Sequence, residues 1–151
     1  MQHEKADRCR GIVWAATLTT TAGLSALALA SPASAESIER YIEVPQCQPA
    51  TSQVCPQEPE VNFTAGNGTS GEFVDVQFTA NQNHCSDLIV HIFNDGYPQF
   101  SARVGPGQTV QKGLGVGPGN HVLRVRAEGI QGGCNTGILS SWGGTVRIDS
   151  A

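Results

Sequence analysis

From residue 61 to the end of the chain, apolar and polar residues alternate in short runs punctuated by glycine, proline and asparagine. That period of two belongs to half-buried strands. Residues 61–64 make a first short run, followed by the turn-rich stretch 66–71. Over residues 72–79, Val74, Val76 and Phe78 fall on one face while Asp75 and Gln77 fall on the other. Residues 88–93 are more continuously apolar and end in Asn94-Asp95-Gly96. Asp and Gly tolerate the positive φ of a tight hairpin, so residues 97–104 are predicted to return beside them. Gly105-Pro106-Gly107 then turns the chain into residues 108–112. Residues 121–127 alternate strictly, with Leu123, Val125 and Ala127 inward and Val122, Arg124 and Arg126 outward. Residues 145–149 close the series, with Val146 and Ile148 inward. After residue 35 the pattern contains no helical repeat.

The chain before residue 61 reads differently. Residues 36–60 carry Pro45, Pro49, Pro56 and Pro59, a density that suits an extended or disordered leader better than a helix or a central strand. Residues 1–35 have the order of a secretory signal. Lys5, Arg8 and Arg10 come first, residues 11–30 are uncharged and largely apolar, and Ala33-Ser34-Ala35 supplies the small residues of a cleavage site. The apolar part is too short and too rich in Thr and Ser to be retained as a membrane span. Its Ala/Gly/Thr-rich style resembles exported proteins of actinobacteria. The predicted organisation is therefore a signal over 1–35, a leader over 36–60 and one β-domain over 61–151.

Export changes the reading of the cysteines. Once Cys9 leaves with the signal, Cys47, Cys55, Cys85 and Cys134 remain. An even number in a short exported chain implies disulfides, and the spacings lack the close C-x₂₋₄-C pairs of structural zinc sites. Of the three possible pairings, Cys47–Cys55 closes a small loop and Cys85–Cys134 staples the domain.

Gly117-Pro118-Gly119-Asn120-His121-Val122-Leu123-Arg124-Val125-Arg126-Ala127, together with Gly105-Pro106-Gly107-Gln108-Thr109-Val110, resembles the turns and strands of bacterial immunoglobulin-like or fibronectin-type modules. The resemblance implies an immunoglobulin-like antiparallel β-sandwich of about seven strands. In such a sandwich the start of 88–93 lies beside the end of 121–127, which brings Cys85 to Cys134. The resemblance marks architecture and implies no activity.

Candidate chemistry is sparse. The sequence contains no G-x-S-x-G elbow, no H-E-x-x-H and, once the disulfides form, no free thiol. The glycine-rich stretch 113–119 opens into a strand rather than a helix, so it is read as a flexible turn and not a phosphate loop. His84, His91 and His121 are read as turn and strand residues rather than ligands, and no metal or cofactor is predicted. Asn62-Phe63-Thr64 and Asn67-Gly68-Thr69 fit the glycosylation pattern of a eukaryotic secretory pathway. The formal net charge is −4, which disfavours nucleic acid as a partner.

Two features point to binding. The long connection 128–144 presents Ile138, Leu139 and Trp142, the last being the single Trp beyond the signal. It reads either as a binding loop or as a cap on the core. Arg124, Arg126, Arg147 and His91 form an outward cationic strip if their strands share a sheet. Such a strip suits an anionic envelope glycan, a lipid headgroup or an acidic extracellular protein, unless ordinary cross-strand pairing absorbs it. The reading is a non-catalytic, secreted or cell-envelope interaction domain. The alternatives are a carrier resembling the actinobacterial sandwich apoproteins that shelter a hydrophobic molecule, and after it a hydrolase.

Overall fold

A computed structural model of the protein describes residues 36–49, 51–66 and 71–150. The signal segment 1–35 and the Asn67-Gly68-Thr69 motif lie outside the described residues. Eight strands follow one another: β1 (Ser37–Val44), β2 (Glu60–Ala65), β3 (Glu72–Ala80), β4 (Leu88–Asn94), β5 (Tyr97–Val104), β6 (Thr109–Val116), β7 (Gly119–Gly129) and β8 (Trp142–Ser150). They form two antiparallel four-stranded sheets, β1-β8-β3-β6 and β2-β7-β4-β5. The alternation read from the sequence becomes the two faces of each sheet. Val74, Val76 and Phe78 of β3, Val90 and Ile92 of β4, and Leu123, Val125 and Ala127 of β7 are all fully buried between the sheets.

The strand order has a simple origin. β4 and β5 meet through Asn94↔Tyr97, with Asp95 (φ 51°) and Gly96 (φ 81°) in the left-handed region that a two-residue hairpin demands. Away from that hairpin the chain pairs as one long ribbon: β3 with β6, β2 with β7 and β1 with β8. The ribbon then rolls so that β3 also meets β8 and β4 also meets β7. This is the wiring of a jelly roll. In an immunoglobulin-like sandwich the last strand joins the penultimate one in the same sheet; here β8 lies between β1 and β3, in the sheet opposite β7. The β-sandwich of the sequence reading therefore stands, with eight strands in a different order.

The N-terminal segment departs from the sequence reading. Residues 37–44 are not a leader outside the sandwich but its edge strand β1, in register with β8 from Ser37↔Asp149 to Val44↔Trp142. Every proline that marked the leader comes after Val44, and Ile42 and Val44 are buried. Residues 45–59 are held in place as well. The Cys47 N–H donates to Ser140 O at 2.7 Å, the Cys55 N–H to Ala127 O at 2.9 Å, and the Gly129 N–H to Gln53 O at 2.8 Å. Residues 113–116 likewise belong to β6 rather than to a flexible turn.

Both disulfides pair as expected, Cys47–Cys55 with Cα atoms 5.2 Å apart and Cys85–Cys134 with Cα atoms 5.7 Å apart. The register Leu88↔Gly129 places the two ends of the second bridge side by side. Gly144 fixes the approach of β8 to β3, because a Cβ there would lie 2.5 Å from the Phe78 ring and from Thr79 O.

Candidate functional site: a cleft at the disulfide-pinned end

At the end of the sandwich where β1 and β3 finish and β4 and β8 begin, the β3–β4 loop (81–87) faces the β7–β8 connection (130–141). Cys85–Cys134 ties the two together. Between them lies a cleft of about 470 Å³. Asn81, Asn83, Ser86 and Asp87 contribute one wall, and Asn135, Thr136, Ser140 and Ser141 the other. Glu43 enters from the end of β1, and Trp142 and Leu139 supply apolar surface beneath. The walls are held from behind: the Leu139 N–H donates to Ser52 O at 3.3 Å and the Asn81 N–H to Gly143 O at 3.1 Å. Tyr41, 59% exposed, does not line the cleft itself, but its hydroxyl accepts a 2.8 Å hydrogen bond from Nδ2 of the lining residue Asn81.

The proposed binding loop divides accordingly. Trp142 and Leu139 belong to the core, at 2% and 6% exposure, while Ile138 remains open at 45%. Trp142 packs tilted against Phe78 with ring centroids 6.3 Å apart, and its indole N–H has no acceptor among the described residues. Trp142 is therefore a core cap rather than an exposed anchor, because its strand parity points it between the sheets.

The cationic strip is not assembled. Arg147 lies on β8, in the sheet opposite the one that holds Arg124, Arg126 and His91, and its Nε reaches Asp149 at 2.9 Å. That pairing raises the Arg147 pKa, and the same hydrogen bond lowers that of Asp149. Arg124 donates to Glu60 at 2.8 Å. Arg126 donates to Glu58 at 3.2 Å and stacks its guanidinium 4.8 Å from the Phe93 ring centroid. His91 sits opposite Arg126, hydrogen-bonded through Nδ1 to Ser101 Oγ at 2.7 Å and through Nε2 to Glu128 at 3.2 Å. Each cation has a carboxylate neighbour, so this face is neutralised by the cross-strand pairing that competes with a binding role.

Ser101, His91 and Glu128 touch in the order of a hydrolase relay, but they lie on the outer face of a sheet. Within the cleft, His84 Nε2 lies 3.0 Å from the Gly143 carbonyl, and Asp87 is engaged by Arg103 at 2.7 Å. No group of three metal-ligating side chains occurs among the described residues.

Sequence reasoning found one wall of the cleft through the length of the 128–144 connection, and missed the other. The polar run Asn81-Gln82-Asn83-His84-Cys85-Ser86-Asp87 carried the signal, because the Cys85–Cys134 pairing already implied that the two loops meet.

The sequence matches no protein-family model and no curated protein. Among solved structures, the chain is similar to dimeric latent PorU from Porphyromonas gingivalis, with 12% identity and a TM-score of 0.42 over 77% of this chain and 13% of that one. It is similar to the insecticidal delta-endotoxin Cry8Ea1 from Bacillus thuringiensis, with 6% identity and a TM-score of 0.47 over 74% of this chain and 19% of that one. A third is the CBM36-1 domain of a multidomain xylanase from the hindgut metagenome of Trinervitermes trinervoides, with 13% identity and a TM-score of 0.40 over 76% and 98%. The chain thus spans only a small part of the first two. Identities and scores this low transfer neither family nor function.

Proposed function

We propose that this protein is an exported, non-catalytic binding domain that works outside the cell or in the cell envelope and takes a glycan in the cleft between residues 81–87 and 130–141. Export is supported by the basic, then apolar, then Ala33-Ser34-Ala35 order of the first 35 residues and by two disulfides. Among the described residues no helix is long and apolar enough to cross a membrane.

The observation that carries the binding reading is the lining of the cleft. Amide and hydroxyl side chains converge there from two loops that Cys85–Cys134 joins, and the exposed Tyr41 is hydrogen-bonded to the lining residue Asn81. A sugar presents several hydroxyls and an apolar C–H face, and meets both kinds of partner. Pre-ordered walls also reduce the entropy lost on binding. A carrier of a hydrophobic molecule needs an apolar pocket, whereas the side chains on these walls are mainly polar. A hydrolase needs a nucleophile beside its base within a cleft; His91 and Ser101 lie on the outward face of a sheet.

The test is affinity electrophoresis of the intact protein through gels containing cell-envelope polysaccharides, beside Asn83→Ala and Thr136→Ala. Retardation by at least one polysaccharide is expected, weakened about three- to ten-fold in each variant, as loss of one neutral hydrogen bond implies. Unretarded migration through all of them contradicts the reading.

A further inference from the structure

The charge of the cleft narrows its ligand. Two carboxylates line it, Glu43 and Asp87, and no lysine or arginine does. Asp87 already faces the guanidinium of Arg103. Glu43 has a different setting: its partner across the ladder is Gly143, which carries no side chain, so nothing on that strand shields or neutralises the carboxylate. Strand parity puts Tyr41 on the same face as Glu43, two residues away, and a strand advances roughly 7 Å over two residues. The Tyr41 hydroxyl is held by Asn81 while its ring stays exposed. An exposed aromatic ring and a carboxylate therefore arise about 7 Å apart along one strand face, Glu43 lining the polar cleft and Tyr41 bonded to its wall residue Asn81. In the floor, Trp142 keeps an indole N–H that no group among the described residues accepts.

From this arrangement we infer that the cleft selects glycans bearing a free amine. Tyr41 stacks on a sugar ring, the Glu43 carboxylate receives the ammonium group of that sugar, and Asn83 and Thr136 meet its neighbours' hydroxyls. An acidic sugar, or an anionic lipid headgroup, meets like charge at Glu43, while the nearby Arg103 is already engaged by Asp87. The inference rests on the reading of the cleft as a glycan site and names the class of glycan. It also reverses the sign expected from the arginine strip, whose cations are spent on Glu60, Glu58 and Asp149.

Calorimetric titration of the intact, disulfide-bonded protein with three trisaccharides at low ionic strength tests it. The probes are chitotriose, its fully N-acetylated form and trigalacturonic acid. Chitotriose is expected to bind about two- to five-fold more tightly than the acetylated form, the range of an exposed ion pair, with trigalacturonic acid the weakest. The preference should vanish in about 1 M salt, where charges are screened within a few ångströms. In Glu43→Gln the preference should vanish. Glu43 is exposed, so this variant folds as the parent does. Equal affinity for the amine and acetyl forms, both lost in Asn83→Ala, overturns the charge selection and leaves the glycan reading standing. A preference that survives in Glu43→Gln also overturns it. Failure of all three sugars to bind overturns both.

Discussion

Asp95 and His121 meet at 2.7 Å between the β4–β5 hairpin and the start of β7. His121 Nε2 lies 2.8 Å from Gly117 O, so both ring nitrogens face acceptors and the imidazolium satisfies them together. Burial acts to lower the His121 pKa, but the hydrogen bonds to Asp95 and to Gly117 outweigh it and raise the value above 6.5. Asp95 is held below 3.8 by its hydrogen bond to His121 and by the Val122 N–H. The signs then fix a window. The His121 contribution is complete below its unfolded pKa and is lost as pH rises through the raised folded value. The Asp95 contribution is complete above 3.8 and is lost as pH falls through the depressed folded value. In denaturant titrations the clasp should contribute most between about pH 4 and pH 6.5, and His121→Gln should flatten the decline on the alkaline side. An equally steep decline in that variant would remove His121 as its source. At Trp142 the volume matters more than the polar atom. Trp142→Ala should destabilise the fold by about 3–5 kcal/mol. Trp142→Phe should cost far less, because it removes a donor that has no acceptor to lose.

At the scale of elements, the cleft depends on how its loops are tied. Closing the chain from Cys85 to Cys134 constrains the unfolded state by about 4 kcal/mol in the chain-entropy account, and Cys47–Cys55 by about 2.5 kcal/mol. The double variant Cys85→Ser/Cys134→Ser should therefore lose about 4 kcal/mol in chemical denaturation, and sugar binding with it, because both walls of the cleft lose their shared anchor. Retained binding would show that the backbone bonds from residues 47–53 suffice. Removing residues 36–44 should also destabilise the protein measurably, since it uncovers the edge of β8 and takes Ile42 and Val44 from the core. The strands of the domain were legible because alternation such as Val74-Asp75-Val76-Gln77-Phe78 is a local property of the sequence. The first strand was not, because Ile42 and Val44 are masked by Arg40, Glu43 and the prolines that follow. Its place is decided by β8, about a hundred residues away. The order of strands was equally hidden, since pairing such as Phe78↔Val146 is non-local.

For the molecule as a whole, the two ends and two faces divide the work. The outer face of β2-β7-β4-β5 pairs Arg124 with Glu60, Arg126 with Glu58 and His91 with Glu128. Ser101 on that face should accordingly remain unlabelled by a fluorophosphonate probe, and labelling that depends on His91 would reopen the hydrolase reading. The end between residues 81–87 and 130–141 gathers amides, hydroxyls and carboxylates around an opening pinned by Cys85–Cys134. Sequence indicated one of these loops by its length and the other only through the cysteine that joins them, because no motif announces a site assembled across a disulfide. The most direct test of the account is a ¹H–¹⁵N correlation spectrum of the intact protein titrated with chitotriose. The predicted result is progressive shifts confined to Tyr41, Glu43 and residues 81–87 and 134–143. Shifts centred instead on His91, Arg124 and Arg126, or a spectrum that does not move, would contradict it.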